Sequence, residues 1–410
     1  MTRLLRDTLH EWADETRVPH DLADRALRRR AWKPVGMAAL TVGLAVGLVT
    51  AVAVFAVGLR GSEPAVRDPQ ATMHAATGVT LPPRPSPAPT DVRTDTEHSP
   101  PVKLIAAGRM AVSAYYTTRL ERVSDDEQRV RRTWSLYDPR TEGYEETSWA
   151  WVDVAPGLQV AAVLEGELIS RRLGILDLNT RQILKWIDLE HPVGSVVWSP
   201  DGTRVLATAY SSYPDLLRGK GDQMAPAGNS PRTGYYIVDV EAGTAAYHEL
   251  PPMADGMLTN DKIFNGNGRQ DLGWSLDGTM LWAPTSTTPD RVFYTLDGEE
   301  AEWPKGERYV DYSGISATSP NGRLVLGPDG LPTKITDAGT GQVVGQQRVL
   351  QLHAWADDDN VLALGCAGSC GNEFNNGLVL VSVDGQRMTQ LGANRDSDKD
   401  GSWRWVLTPR

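Results

Sequence analysis

The stretch Trp198-Ser199-Pro200-Asp201-Gly202-Thr203-Arg204-Val205-Leu206-Ala207 combines a tight turn with the apolar strand that follows it. Proline fixes φ at the second turn position, and Asp-Gly supplies the bridge and left-handed conformations that a hairpin needs. The same turn recurs along the chain. Its clearest further copies are Trp274-Ser275-Leu276-Asp277-Gly278 and Thr318-Ser319-Pro320-Asn321-Gly322, and weaker copies lie at 106–108, 155–157 and 355–360.

A second turn motif closes the next hairpin after each copy of the first. Its fullest form is Ile237-Val238-Asp239-Val240-Glu241-Ala242-Gly243, and the other copies lie at 136–139, 175–179, 294–298, 335–339 and 381–385. Strict alternation of the two motifs predicts four-stranded antiparallel units, and their ~40–50-residue period is typical of propeller blades. We therefore expect an all-β fold over residues 102–410, a six-bladed β-propeller, with a seventh, partly degenerate blade as the alternative.

The two motifs also carry a family resemblance. Trp198-Ser199-Pro200-Asp201-Gly202, followed by Ile237-Val238-Asp239, resembles the blades of TolB-like and WD-type propellers over about residues 102–391, without the Gly-His and Trp-Asp signatures of true WD repeats. The resemblance implies a scaffold for protein or ligand binding, on a fold that hosts many functions. The tail at 403–407 has the pattern of one more strand, which we expect to pair near Val102–Ala107 and close the ring.

An apolar run lies near the N-terminus. Val35 to Leu59 is a run of 25 residues without a charge, long enough to span a bilayer with some tilt. Five basic residues precede it, so the positive-inside rule places the N-terminus in the cytoplasm and the later residues outside. A cleaved signal peptide is the alternative, but its apolar region is normally ~7–15 residues and its charged leader is short. The sequence predicts a bacterial single-pass cell-membrane protein.

The segments around this transmembrane run differ in character. Residues 1–34 carry Leu and Trp at helical spacing and predict cytoplasmic amphipathic helices, which either lie on the inner leaflet or dock a partner. Residues 60–101 are rich in Pro, Thr, Ala and Ser and predict a disordered linker. Small residues at every fourth position from Ala39 to Ala51 permit a homodimer, although this spacing arises easily by chance in an Ala/Gly-rich run.

The charge balance bears on the class of partner. Residues 36–410 carry 33 Lys/Arg against 46 Asp/Glu, a net charge of −13. Nucleic-acid binding depends on basic side chains that neutralise phosphates, so an acidic domain disfavours DNA or RNA as a partner.

Both cysteines, Cys366 and Cys370, lie in the part of the chain predicted to be exported. In an oxidising compartment such close cysteines can form a small loop-pinning disulfide, which is the interpretation we favour. Free thiols, or half of a metal site, are the alternatives, although a zinc site needs more ligands than this pair.

Four long segments lie between the predicted strands, at residues 118–130, 211–233, 251–270 and 365–377. All four lie in connections between the second and third strands of a blade or between successive blades, so a meander places them together on one face, which we call the long-loop face. Long loops on a rigid scaffold are where binding surfaces are usually found, and insertions tolerated at flexible tips are the alternative. The candidate binding residues are Tyr213, Leu216, Leu217, Met257, Phe264 and Phe374.

The sequence offers few candidate metal or catalytic sites. Asp396, Asp398 and Asp400 have the spacing of a calcium loop, but Leu407 stands where its bidentate Glu belongs, so a solvated acidic turn is the alternative. No Gly-x-Ser-x-Gly elbow is present and the histidines are scattered, so we expect no enzyme and no other cofactor. Trp198, Trp274 and Trp355 occupy equivalent blade positions and are expected in the core.

These patterns predict a non-enzymatic, membrane-anchored, extracytoplasmic propeller that binds a protein or envelope ligand at the long-loop face, with a sensory role as an extension. The membrane contact is residues 35–59. A passive cell-envelope scaffold and a propeller-containing hydrolase are the alternative functions.

Overall fold

The computed structural model describes residues 79–220, 224–226, 229–252, 258–259, 262–263, 268–285, 290–310, 313–327, 333–368, 370, 374–396 and 403–410. Within these ranges the regular secondary structure consists of β-strands in antiparallel sheets, which confirms the all-β prediction. The predicted cytoplasmic helices at 1–34 and transmembrane helix at 35–59 lie outside the described residues. Among the residues that are described, no helix has the length and apolarity to cross a membrane.

The strands follow one another as up-and-down meanders, named A to F here. Meander A contains β2 (Ala106–Ala107), β3 (Met110–Arg122), β4 (Glu127–Asp138) and β5 (Gly143–Glu146), with β1 (Val92–Arg93) paired to β2. Meander B contains β6 (Trp151–Val154), β7 (Val160–Leu164), β8 (Ser170–Asp177) and the first half of β9 (Ile183–Trp198). Meander C contains the second half of β9, β10 (Arg204–Tyr210), β13 (Arg232–Asp239) and β14 (Thr244–Glu249), with insertions that form β11 (Leu216–Arg218) and β12 (Ala225–Pro226).

The later meanders are shorter. The connection after meander C forms a hairpin of β15 (Leu258–Thr259) and β16 (Lys262–Ile263). Meander D contains β17 (Gly273–Trp274), β18 (Leu281–Pro284), β19 (Arg291–Tyr294) and β20 (Glu300–Ala301). Meander E contains β21 (Leu324–Leu326), β22 (Thr333–Asp337) and β23 (Val343–Gln347). Meander F contains β24 (Gln351–Trp355), β25 (Asn360–Gly365), β26 (Asn375–Ser382) and β27 (Met388–Gln390), and the chain ends with β28 (Arg395–Asp396) and β29 (Trp403–Pro409).

The predicted turns close the hairpins as their residues require. Gly202, between β9 and β10, has φ +67°, the left-handed conformation that favours glycine. The Ser199 hydroxyl accepts a hydrogen bond from the Arg204 N–H at 3.0 Å, and Ser275 and Ser319 serve the same role in their own turns at 2.9 Å. The serine of the motif therefore satisfies a backbone donor that the turn leaves unpaired.

Buried tryptophans link successive meanders. Trp198, Trp274 and Trp355 are only 4–5% exposed, which confirms the prediction that they belong to the core. Their indole N–H groups donate to backbone carbonyls of the preceding meander or of the segment before β21. The acceptors are Asp153 at 3.2 Å, Val197 at 3.2 Å and Ala317 at 3.0 Å, respectively. The repeated tryptophan thus fixes one meander against the next.

Apolar clusters continue this packing around the fold. Shared cores join A to B, B to C, C to D, E to F and, finally, F to A. Meander D contacts the segment before β21, where the Arg291 guanidinium donates to the Val310 carbonyl at 3.4 Å and the Val310 side chain belongs to the E–F core. The sequence of contacts is therefore closed, since the last meander packs on the first.

The C-terminal strand completes the closure at a position one strand away from the expected one. β29 pairs antiparallel with β3, from Met110 to Thr117, whereas the sequence suggested Val102–Ala107 as its partner. β2 is only two residues long and is paired on both edges, with β1 and with the start of β3, so the longer β3 offers the free edge that a seven-residue strand needs.

The N-terminal boundary of the folded part also differs from the prediction. The proposed linker, residues 60–101, is wrong for its last part, because residues 79–101 pack on the meanders. Val79 is 6% exposed within the B–C core, and β1 pairs with β2. The Asp95 carboxylate accepts hydrogen bonds from the Val102 and Lys103 N–H groups at 2.7 and 2.9 Å. Composition alone pointed to disorder, but the few apolar and acidic side chains of this segment find specific partners.

Candidate binding faces

On the long-loop face, the insertion of meander C forms an added sheet. β11 pairs with the end of β4, Leu216 opposite Arg129 and Leu217 opposite Gln128, and β12 pairs with β11. The Tyr213 hydroxyl donates to the Val130 carbonyl at 2.8 Å. Three predicted binding residues, Tyr213, Leu216 and Leu217, therefore have an internal role, because they hold the insertion against the long β3–β4 hairpin.

The remaining predicted binding residue among those described, Phe374, lies outside this sheet. Phe374 lies just before β26 in meander F and is 44% exposed. Met257 and Phe264 lie outside the described residues. The surface that the long-loop face presents near Tyr213 is consequently built from charged side chains of β3 and β4, which apolar patterning could not identify.

A buried ion cluster lies beneath the docked insertion. The Asp215 carboxylate accepts hydrogen bonds from Arg132 at 2.6 Å and from Arg269 at 2.5 Å, and the three side chains are only 9–13% exposed. Arg269 also donates to the Gly194 carbonyl at 2.9 Å and lies over the Trp151 ring, 4.4 Å from its centroid. Burial alone would raise the pKa of Asp215, but the two guanidinium groups lower it overall. The cluster joins meanders A and B, the insertion of C and the segment before β17.

Next to this cluster is a cleft of about 280 Å³, which we call the arginine cleft. Its walls include Trp149 and Tyr213, and its charged lining consists of Arg119, Arg129, Arg131, Arg132, Glu146 and Glu167. Arg131 pairs with Glu167 at 2.7 Å and Arg129 pairs with Glu121 at 2.9 Å, while Arg119 is exposed. The cleft thus concentrates four arginines, three of them paired with carboxylates, on a strongly acidic chain.

The opposite end of the meanders, where the tight turns lie, is the tight-turn face, and it opens on a larger cavity of about 930 Å³. The cavity is lined by residues of β6, β9, β17 and β24, the first strands of meanders B, C, D and F, and by β29, so we call it the channel. Trp198, Trp274, Trp282 and Trp355 contribute to its wall, and most of the lining is apolar side chain or backbone. Such a volume is in the range of small-molecule pockets.

The channel contains one unusual carboxyl group, that of Asp153 in β6. It accepts a hydrogen bond from the Trp198 N–H at 2.7 Å. Burial raises the pKa of Asp153 to about 7, because the hydrogen bonds from backbone N–H groups do not offset the loss of water around the charge. The wall of the channel therefore holds a carboxyl that is partly protonated at neutral pH.

Replacing Asp153→Asn should change how stability depends on pH. Because the folded pKa lies above the unfolded value, ionisation of Asp153 destabilises the wild type progressively from about pH 4 to about pH 7. Asparagine keeps an acceptor for Trp198 without that charge. We expect the variant to be more stable than wild type at pH 8 by on the order of 1–3 kcal/mol, and equally stable near pH 4.

Urea unfolding between pH 4 and 8 measures this difference. Asp201→Asn is the control, since the turn hydroxyl and amide donors around Asp201 outweigh its burial and lower its pKa. That variant should lose stability relative to wild type above pH 4. Parallel pH profiles for wild type and Asp153→Asn would contradict the assignment.

The remaining predicted sites are placed as follows. Cys366 and Cys370 form a disulfide with Cα atoms 5.8 Å apart, in the connection between β25 and β26. Asp396 belongs to β28, whose residues pair with β26, and Asp398 and Asp400 lie outside the described residues. In the described ranges, no group of three or more His, Cys, Asp or Glu side chains is placed to hold a metal ion.

Successive antiparallel meanders, tryptophans between their inner strands and a last strand paired to the first meander define this protein as a β-propeller. The sequence matches no protein-family model and no curated protein. It is similar in structure to Kuenenia stuttgartiensis hydrazine synthase, at 12% identity and a TM-score of 0.31, covering 59% of this chain and 65% of that one.

Two further solved structures are similar to this chain. TolB from Acinetobacter baumannii is 16% identical, with a TM-score of 0.34 and coverage of 73% of this chain and 67% of that one. The Cps50 (Swd1) beta-propeller domain of Myceliophteria thermophila is 11% identical, with a TM-score of 0.35 and coverage of 76% and 99%. At these identities and TM-scores the similarities assign no activity to this chain.

Proposed function

We propose that this chain is a non-enzymatic binding module, a six-bladed propeller whose blades are meanders A to F. It binds an acidic segment of a partner protein in the arginine cleft of the long-loop face. Residues 35–59 anchor it in the cell membrane with the propeller outside. The observation that carries the proposal is the arginine cleft itself, which concentrates four arginines on a chain region whose net charge is −13.

The geometry of the cleft supports recognition of carboxylates. Arginine presents a planar fork of donors that matches a carboxylate, and Arg129 and Arg131 are already held in place by Glu121 and Glu167. Arg119 is exposed at the rim and available to a partner. The aromatic walls, Trp149 and Tyr213, add rigid apolar surface of the kind enriched at interfaces. The acidic surface elsewhere on the chain repels an acidic partner segment. Binding of such a segment is therefore specific to the cleft.

A crosslinking experiment in intact cells tests both the face and its side of the membrane. Val123→Cys lies at the tip of the β3–β4 hairpin and is 52% exposed in the wild type, and the native cysteines are already paired. A membrane-impermeant maleimide photo-crosslinker on this cysteine should capture a discrete partner. We expect Arg129→Glu with Arg131→Glu to reduce capture at least tenfold, because two attractive charges become repulsive.

The matched control is Val344→Cys on β23, where the wild-type side chain is 45% exposed on a different meander. It should be labelled equally but capture nothing. Failure of the reagent to label either cysteine in intact cells would contradict the outside location. Labelling without capture, or capture that survives the double charge reversal, would contradict the arginine cleft as the binding site.

A further inference from the structure

Residues 79–91, which we call the strap, cross the tight-turn face at the mouth of the channel. At one end the Val79 N–H donates to the Glu241 carbonyl at 2.9 Å, and the Val79 side chain is buried in the B–C core with Leu81 packed against it. At the other end Asp91 pairs with Arg410 at 2.9 Å. Arg410 follows β29 and lines the channel. The strap therefore extends from a peripheral turn of meander C to the strand that closes the ring.

Between these ends, the side chain of Arg84 lies across two neighbouring tight turns. Its guanidinium donates to the Asp201 carbonyl, and Pro85 and Ala88 line the channel mouth beside it. A β-carbon on Gly157 would lie 2.9 Å from Cγ of Arg84, and one on Gly202 would lie 2.5 Å from its Nη2. The two turn glycines thus leave the groove that the arginine occupies.

Comparison with another turn shows that the groove is a specific feature. Gly322 is the equivalent glycine of the turn before β21 and has a similar φ, +76° against +67° for Gly202. A β-carbon on Gly322 would meet open space. Backbone conformation explains glycine at both turns, but close approach of another segment occurs at Gly202 and not at Gly322.

We propose that the channel mouth is a peptide-binding site for a proline-rich segment that carries an arginine and an acidic residue seven positions later. The strap is its resident ligand, bound in cis. Proline restricts the backbone of the unbound segment, so a proline-rich segment loses little conformational entropy on binding. The basic contact of Arg84 with a backbone carbonyl and the acidic contact of Asp91 with Arg410 set the register. The site lies on the face opposite the arginine cleft and is independent of the function proposed for that cleft.

A strap bound in cis competes with any added peptide. A short covalent connection gives an effective concentration of about millimolar, so the wild-type chain should bind an added strap peptide only weakly. Leu81→Ser, Arg84→Ala and Asp91→Ala together, in the full chain, remove three side-chain contacts of the strap and leave the residues of the groove unchanged. A fluorescein-labelled peptide of residues 79–91 should bind this triple variant at least tenfold more tightly than wild type by anisotropy. The same peptide with Arg84→Ala should lose most of that gain.

A second pair of variants distinguishes the effect of filling the groove from the effect of backbone strain in the turn. Gly202→Ala and Gly322→Ala each place a β-carbon at positive φ in the same kind of turn, but only the first meets the arginine. In the triple variant, Gly202→Ala should weaken peptide binding at least fivefold and Gly322→Ala should not change it. Equal affinities for native and scrambled peptides, or equal effects of the two glycine substitutions, would overturn the proposal.

The test does not depend on the triple variant being foldable. Leu81→Cys in the otherwise wild-type chain provides a unique free thiol on the strap, at a position that is half-buried against the B–C core, since the native cysteines are paired. Gly202→Ala should accelerate its modification by a bulky maleimide severalfold, whereas Gly322→Ala should leave the rate unchanged. Identical rates in the two variants would also overturn the proposal.

Discussion

A chain that ends after residue 402 should fail to fold into the structure of residues 79–402. Such a truncation removes β29, which pairs with β3 along Met110–Thr117 and buries Trp403 to 2% exposure. Trp405 and Leu407 pack against the core shared by meanders F and A, so that core opens to solvent. We expect a loss of more than about 5 kcal/mol, comparable with the whole stability of a typical domain. Urea unfolding followed by tryptophan fluorescence measures it.

Two substitutions within the strand provide a graded test of the same closure. Leu407→Asp should destabilise by about 3–5 kcal/mol, since it puts a charge against the F–A core. Pro409→Ser changes an exposed residue at the end of the strand and should leave the unfolding midpoint unchanged. A cooperative transition at the wild-type midpoint in the truncated chain would show that β29 is dispensable for closing the ring.

The repeating elements of this fold were open to prediction because each depends on local chemistry. The Ser-Pro-Asp-Gly turn requires its residues for backbone reasons, and the alternation of strand and turn follows from it. The same is true of Trp198, Trp274 and Trp355, whose equivalent positions in the repeat predicted their burial. A pattern that recurs in sequence is one that each repeat needs for itself.

The contacts that build the binding faces do not recur from repeat to repeat, so the sequence pattern did not predict them. Leu216 and Leu217 resemble exposed anchors in sequence, but three residues of backbone pairing with β4 dock them internally. The prolines of the strap indicate disorder by composition, although Val79 and Arg84 find partners in other meanders. These contacts join residues 87 or more positions apart, which local propensity does not encode.

The same limitation applies to the ion cluster. Asp215, Arg132 and Arg269 lie on three separate segments, and each is an ordinary charged residue in its own neighbourhood. Only the docking of the insertion brings them together. The sequence alone therefore could not predict this buried ion cluster. The cluster nevertheless holds the insertion of meander C in place on the long-loop face.

Asp215→Ala should therefore be among the most destabilising single substitutions on this face. It leaves Arg132 and Arg269 buried without a carboxylate between them, and breaking a buried ion pair from one side costs about 3–5 kcal/mol. The insertion should also detach from β4, because Tyr213 and Leu216 lose the charge that fixes the segment between them. The control is Asp125→Ala, which removes an exposed partner of Arg122 and should leave stability unchanged.

The pH dependence of this effect has a definite sign. The folded pKa of Asp215 is lowered, so its stabilising contribution is fully present above the unfolded pKa of about 4 and is lost as pH falls through the folded pKa. The stability difference between wild type and Asp215→Ala should accordingly be constant from pH 5 to 8 and shrink below pH 4. Urea unfolding across that range measures it, and a difference that persists undiminished in acid would mean that the carboxylate acts through packing and not through its charge. In that case Asp271 would have to stabilise the Arg269 guanidinium, with which it also pairs. The Trp151 ring, which both Arg132 and Arg269 contact, would have to stabilise the two guanidinium groups.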